Sequence, residues 1–136
     1  MNIHNIVLKS NNEVLYMKKL ALELYNNGYS CTSSIIMSAK EKYNINVTNE
    51  FENGINIINN GFGIQGMCGV LIAAVIVIGA VLGSDKGRVG RIIFFDKFFK
   101  KYNNIDCTRL SSESNDCCEI IEYVCNIADE VINDMK

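Results

Sequence analysis

Four of the six cysteines in the chain lie at positions where chemistry is expected. Cys31, Cys68 and Cys117 each open a predicted helix, and Cys107 lies in a loop just before the last of these helices. The first turn of a helix carries unpaired backbone N–H groups and the positive end of the helix dipole, which favour a thiolate over a thiol. If the three helix starts converge, they form a positive site suited to several thiolates, such as a metal or redox centre.

The spacing of these cysteines excludes the common small metal motifs. There is no CxxC pair, and the single histidine, His4, is far along the chain from every cysteine, so zinc-finger, zinc-knuckle and CxxCH haem patterns are absent. The GxxxxGK[ST] and GxGxxG nucleotide-binding patterns are absent as well. A site built from distant parts of the chain leaves zinc, an iron–sulfur cluster and reversible disulfides open.

The elements that must position the cysteines are predicted to be helices. Apolar residues recur at helical spacing over residues 13–27, 30–43, 91–102 and 115–133, and Thr48 is a good cap for a further helix. Residues 84–90 read as a polar loop, and no segment shows the alternation of a strand. We therefore predict an all-α fold, a small bundle of about five or six helices in a single domain that covers residues 1–136.

An apolar stretch, residues 60–83, is the segment around which the bundle is predicted to form. A glycine-rich turn leads to Cys68 and Gly69, and the chain then continues to Gly83 without a charge. A helix that is apolar on every side is either buried or inserted in a membrane. Because residues 68–83 fall short of the roughly 20 that a span needs, we predict a buried central helix, with a membrane anchor through residues 64–83 as the alternative.

The composition is that of a folded globular protein, with 49% hydrophobic and 21% charged residues. A net charge of −2 gives no reason to expect nucleic-acid binding. The start MNIHNIVLKSNN lacks the features of a signal peptide, so we expect a cytoplasmic protein. Cysteines in that compartment are more often metal ligands or redox centres than structural bridges. A homodimer is compatible with so apolar a small chain.

Several motifs occur in a recognisable order: Tyr29-Ser30-Cys31, then Gly61-Phe62-Gly63 with Cys68-Gly69-Val70-Leu71-Ile72-Ala73, then Cys107-Thr108-Arg109-Leu110, then a final cysteine before a helix. In this order, over residues 20–132, the chain resembles the C_GCAxxG_C_C family of redox-active proteins. The chain departs from the family pattern at Val70, where Ala is usual, and at Ala73, where Gly is usual. The resemblance implies a small helical domain whose four cysteines do redox or metal-cluster chemistry. The four are Cys31, Cys68, Cys107 and Cys117, with Cys118 as the alternative for the last.

The resemblance thus predicts a redox protein that works with an unidentified redox partner. The four cysteines would be ligands of an iron–sulfur cluster or zinc, or would form two dithiol pairs. Gly63, Gly66 and Gly69 are the residues predicted to contact a cofactor. The competing hypothesis is a non-catalytic helical interaction module whose cysteines are small buried hydrophobic residues, a reading that suits Cys118 and Cys125 best.

Overall fold

The structure is a computed structural model that describes residues 17–113 and 117–136. These residues form seven α-helices and one π-helical turn, which lies between α3 and α4 at Gly61–Gln65. The helices are α1 (Met17–Asn26), α2 (Cys31–Tyr43), α3 (Asn49–Asn56), α4 (Gly69–Leu82), α5 (Ser84–Phe99), α6 (Cys107–Glu113) and α7 (Cys117–Met135). This part of the chain contains no β-strand, only an isolated bridge between Met67 and Asp106. The all-α class is confirmed, but eight helical segments replace the five or six predicted.

Hydroxyl side chains begin two of the helices as the sequence predicts. The Ser30 hydroxyl accepts a hydrogen bond from the N–H of Ser33, and the Thr48 hydroxyl accepts one from the N–H of Phe51. Each bond satisfies a backbone donor that has no partner inside its helix. The predicted starts of the first and last helices, at Glu13 and at Asn115 or Asp116, lie outside the described residues, as does His4.

The polar stretch 84–90 is helical, so the predicted loop is wrong. It forms the first half of α5, and the turn from α4 is confined to Gly83, whose φ of +84° suits glycine. Gly87 faces Gly79 so closely that a Cβ on Gly87 would lie 3.1 Å from the Gly79 Cα. Glycine at position 87 allows the two helices to pack closely. The sequence pattern alone cannot distinguish this use of glycine from a glycine in a loop.

The sequence pattern of the aromatic helix predicts a core face of Ile92, Phe95, Phe99 and Tyr102 with Phe94 and Phe98 beside it, but in the structure α5 buries a different face. Phe94 and Phe98 are fully buried, whereas Ile92 is 67% exposed and Phe99 is 48% exposed. Tyr102, beyond the end of α5, is buried and its ring packs against the Phe98 ring at 5.2 Å between centroids. The core therefore contains Phe94 and Phe98, the i, i+4 pair that the sequence pattern placed beside the predicted core face.

Helix α4 packs against α2, α5 and α7. Half of its fourteen residues are buried, among them Leu71, Ala74 and Ile78. The sequence predicts that α4 is buried on every side, but in the structure Ala80 is exposed and Ile76 is only partly buried. None of the described helices combines the length and apolar character needed to cross a membrane.

The start of α4 lies in direct contact with the end of α3 and the start of α2. A Cβ built on Gly69 would lie 2.3 Å from the carbonyl oxygen of Ile58 and 2.7 Å from the Thr32 methyl group. The Thr32 hydroxyl in turn donates a 2.7 Å hydrogen bond to the carbonyl of Ile55. Three segments thus meet at Gly69, where only glycine fits.

Replacing Gly69 by Ala is expected to destabilise the protein by about 2–3 kcal/mol, because the backbone oxygen of Ile58 must move to admit a methyl group. Gly54→Ala is the matched control: a Cβ on Gly54 meets no atom within 4 Å, so this helix-interior change is expected to stabilise by roughly 0.5–1 kcal/mol. Urea unfolding of both variants measures the difference. Equal stabilities would contradict the packing described at Gly69.

Candidate functional site

Cys31, Cys68, Cys107 and Cys117 line one cavity, although they are spread over most of the chain. The cavity has a volume of about 30 Å³, and its other lining residues are Asn60, Gly69, Val70, Leu110 and Ile120. A larger groove of about 550 Å³ lies beside Tyr43, Phe51 and Lys136, and no cysteine lines it. The cavity that joins the four predicted cysteines is therefore the candidate site.

A short backbone pairing holds Cys68 beside Cys107. The N–H of Cys68 donates a 2.7 Å hydrogen bond to the carbonyl of Ile105, and the N–H of Cys107 donates a 2.9 Å hydrogen bond to the carbonyl of Gly66. Met67 and Asp106 form the antiparallel bridge between these two bonds. Cys107 was predicted in a loop, but it is the first residue of α6.

The π-helical turn before this pairing has an unusual backbone. Asn60, Phe62 and Gln65 all have positive φ, at 53°, 63° and 60°. Left-handed backbone at residues other than glycine costs energy, more so for a bulky side chain. The turn is closed by a 2.8 Å hydrogen bond from the N–H of Gly66 to the carbonyl of Gly61. Asn60, the residue before the turn, lines the cavity.

The three glycines predicted to contact a cofactor have different positions. Gly69 lines the cavity directly. Gly66 contributes the carbonyl that holds Cys107 but is not part of the lining. Gly63 lies in the exposed part of the turn, with a φ of +74°, and does not line the cavity.

Burial makes the thiols of Cys31 and Cys68 weaker acids than usual. It raises the pKa of Cys31 to about 12, and the neighbouring Cys68 and Cys117 sulfurs add to the shift while the N–H of Thr32 opposes it. Burial is also the main reason that the pKa of Cys68 is raised to about 11. The N–H groups of Val70 and Leu71 oppose that shift as well. The expectation of thiolates at these helix starts is therefore wrong, since desolvation outweighs the helix-start effect.

The last two cysteines of the candidate set differ in position. Cys117 lines the cavity, whereas Cys118 does not, and the Cys118 thiol donates a weak 3.9 Å hydrogen bond to the side-chain oxygen of Asn26. Cys125 is fully buried in the core, as its reading as a small hydrophobic residue predicts. The geometry thus distinguishes Cys117 from Cys118, which the sequence left open.

Sequence reasoning missed Tyr25, whose pKa is affected by Cys117. Burial raises the pKa of Tyr25 to about 12, with further contributions from Cys117, Cys118 and Cys31. Tyr25 lies at the end of α1, far along the chain from Cys117, so no local motif connects the two. The cavity residues Asn60, Leu110 and Ile120 were also not singled out from the sequence.

The donor set of the cavity is four sulfur atoms, which suits zinc or iron by softness. As placed, however, no three or more His, Cys, Asp or Glu residues in the described ranges form a group that could hold a metal ion. None of the six cysteines forms a disulfide. The donor chemistry fits a metal, and the spacing of the sulfurs in this conformation does not.

Comparison with known proteins gives one positive result. The model of a family described as "Putative redox-active protein (C_GCAxxG_C_C)" matches residues 29–131. Neither a curated protein nor a solved structure shows significant similarity to the chain. The matched range includes all four cavity cysteines.

The reduced protein is expected to lose stability as the pH rises above about 9. Thiols of the unfolded chain lose their protons near that pH, whereas Cys31 and Cys68 keep theirs until about pH 12 and 11. The unfolded state then binds fewer protons than the folded state, so unfolding is favoured across this window. Urea unfolding under reductant, at about pH 8 and about pH 10, measures the loss.

A Cys31→Ser/Cys68→Ser double variant is the control for this pH dependence. Serine does not titrate in this range, so the variant is expected to lose less stability between the two pH values. An unchanged loss would show that other buried groups, such as Tyr43 and Cys125 with their own raised pKa values, account for the effect.

Proposed function

The chain belongs to the C_GCAxxG_C_C family, and on this premise we propose that Cys31, Cys68, Cys107 and Cys117 act together as one redox centre. The observation that supports the proposal most is that these four cysteines line a single cavity. Cysteines that served only as core filling would have no reason to face one another. Cys125 is an example of a cysteine used for core packing, because it is buried and does not line the cavity.

Reversible dithiol chemistry is the version that the described thiols support best. With pKa values of about 12 and 11, Cys31 and Cys68 are neutral thiols at physiological pH. Oxidation of one pair would form an S–S bond and release two protons, with two electrons passing to an acceptor such as a disulfide of the redox partner. All four cysteines line one small cavity, so each of them is a candidate partner for another.

Metal ligation is the second candidate, and the backbone donors at the sulfurs favour it. The N–H of Thr32 lowers the pKa of the Cys31 thiol, and the N–H groups of Val70 and Leu71 lower that of the Cys68 thiol, in each case against the larger effect of burial. Backbone N–H groups near the sulfurs are among the features that tune iron–sulfur sites. An iron–sulfur cluster would supply one-electron transfer, and zinc would hold the cysteines as structural ligands. Either would require the sulfurs to move from their described positions.

The surroundings of the centre complete the proposal. Gly69 lines the cavity and allows the close approach of Ile58 and Thr32, and the Gly66 carbonyl accepts a hydrogen bond from the N–H of Cys107, whereas Gly63 does not line the cavity. A redox partner, a cytoplasmic location and homodimer formation remain part of the same proposal. They are expectations from the sequence.

Two measurements on protein purified without oxygen test the proposal: iron, zinc and acid-labile sulfide content, and the number of thiols lost on mild oxidation and regained on reduction. We expect either bound metal or the reversible loss of two or four thiols. Cys31→Ser, Cys68→Ser, Cys107→Ser and Cys117→Ser should each reduce the metal content or remove one disulfide. Cys118→Ser is the matched control, because Cys118 is adjacent in sequence but does not line the cavity.

A wild-type chain with no metal and no reversible thiol loss would contradict the proposal. So would cavity variants that behave like Cys118→Ser. Either outcome would favour a non-catalytic helical interaction module.

A further inference from the structure

We propose that the outer face of α5 is the contact surface of a homodimer, in which two copies of this helix lie antiparallel about a two-fold axis at Ile92. The inference does not depend on the chemistry of the cysteines. It adds to the expected homodimer the surface that forms it and the register that this surface specifies.

Helix α5 exposes an unusual amount of apolar surface. Four of the eight large hydrophobic side chains that the described residues expose lie on this one helix. Ile92 is 67% exposed, Val89 is 51% exposed and Phe99 is 48% exposed. Because these three residues are three and seven positions apart, they lie on one side of the helix. A surface helix normally turns polar residues to water, so this apolar face indicates a contact surface.

The neighbouring side of α4 extends the apolar face. A groove of about 210 Å³ between the two helices is lined by Val75 and Gly79 of α4 and, among others, by Arg88 and Arg91 of α5. Helix α4 contains no polar side chain. The sixteen residues of α5 span about 24 Å. One helix face of that length is smaller than the roughly 800 Å² per partner of a standard interface, so we expect α4 to contribute and the affinity to be moderate.

The charges on the outer face of α5 favour a second copy of the chain as the partner. Asp85 and Arg88 lie seven and four residues before Ile92. Asp96 and Lys100 lie four and eight residues after it. In an antiparallel pair centred on Ile92, Arg88 is level with Asp96 of the other copy, and Asp85 comes close to the level of Lys100. A parallel pair in register would place each charge beside the same charge, so the order of signs specifies the antiparallel arrangement.

These four charged side chains pair within their own helix in the described structure. The Arg88 guanidinium lies 3.2 Å from an Asp85 carboxylate oxygen, and the Lys100 ammonium lies 3.3 Å from an Asp96 carboxylate oxygen. Each of the four side chains is at least 65% exposed. Such exposed pairs contribute little to stability. They can therefore exchange partners at low cost when a second copy approaches.

Sedimentation velocity at protein concentrations from about 1 to about 200 µM measures the dissociation constant of the dimer. Reductant is present, so that disulfides between two chains cannot account for a dimer. The wild type is expected to dimerise in the micromolar range. Ile92→Glu places two like charges at the two-fold axis and is expected to raise the dissociation constant by about 100-fold or more. Ile57→Glu is the matched control, because Ile57 is 76% exposed at the end of α3, and it should leave the constant unchanged.

Charge reversal tests the antiparallel register. Arg88→Asp and Asp96→Arg should each raise the dissociation constant by roughly tenfold, because each places like charges at the same level in two symmetric positions. The double variant Arg88→Asp/Asp96→Arg restores opposite charges at these levels. Its dissociation constant should return close to that of the wild type.

A wild type that remains monomeric over this concentration range would overturn the inference and leave the face to residues 1–16 or to a different protein. A dimer that Ile92→Glu does not weaken would place the contact elsewhere and overturn it as well. A double charge variant as weak as the single ones would contradict the antiparallel register. If circular dichroism shows that Ile92→Glu does not fold, Phe99→Glu and the charge variants, all at exposed positions, decide the question.

Discussion

The missing side chain at Gly69 is the constraint on which the cysteine cavity depends. A Cβ there would lie 2.3 Å from the Ile58 carbonyl oxygen and 2.7 Å from the Thr32 methyl group, so no other residue allows the same contact. Cys68 precedes Gly69 and Cys31 precedes Thr32, and the contact therefore brings both cysteines to one place. The sequence pair Cys-Gly thus combines a sulfur with the space that lets the sulfur reach its partners.

The other half of the cavity depends on a turn that is costly by itself. Three non-glycine residues between Asn60 and Gln65 have left-handed backbone, and each is expected to cost on the order of 1 kcal/mol or more. The turn is followed at once by the hydrogen bonds that pair Cys68 with Ile105 and Cys107 with Gly66. A strained turn next to the bonds that position two site cysteines is the arrangement expected where function, and not stability, selects the backbone.

The sequence singled out the four cysteines that line one cavity, but not the details around them. Helix starts and motif order are local, so Cys31, Cys68 and Cys107 could be selected without knowing the fold. The influence of Cys117 on the pKa of Tyr25 depends on how α1 packs against α7, which no local pattern encodes. Helix 84–90 was missed for a related reason, since Gly87 suggests a loop until its closeness to Gly79 is known. The one-position error in the aromatic face of α5 has the same origin.

The charge state of the site is where packing overrides the local rule most clearly. Backbone N–H groups do stabilise the sulfurs of Cys31 and Cys68, as the helix-start argument requires, but burial opposes them and is the larger effect. A reduced, metal-free centre therefore holds protons on these sulfurs, and oxidation to a disulfide must release protons together with electrons. A bound cation would remove this requirement, because its thiolate ligands are already deprotonated. The dependence of the couple on pH is thus a direct property of the chemistry at the sulfurs, steep for dithiols and shallow for a ligated metal.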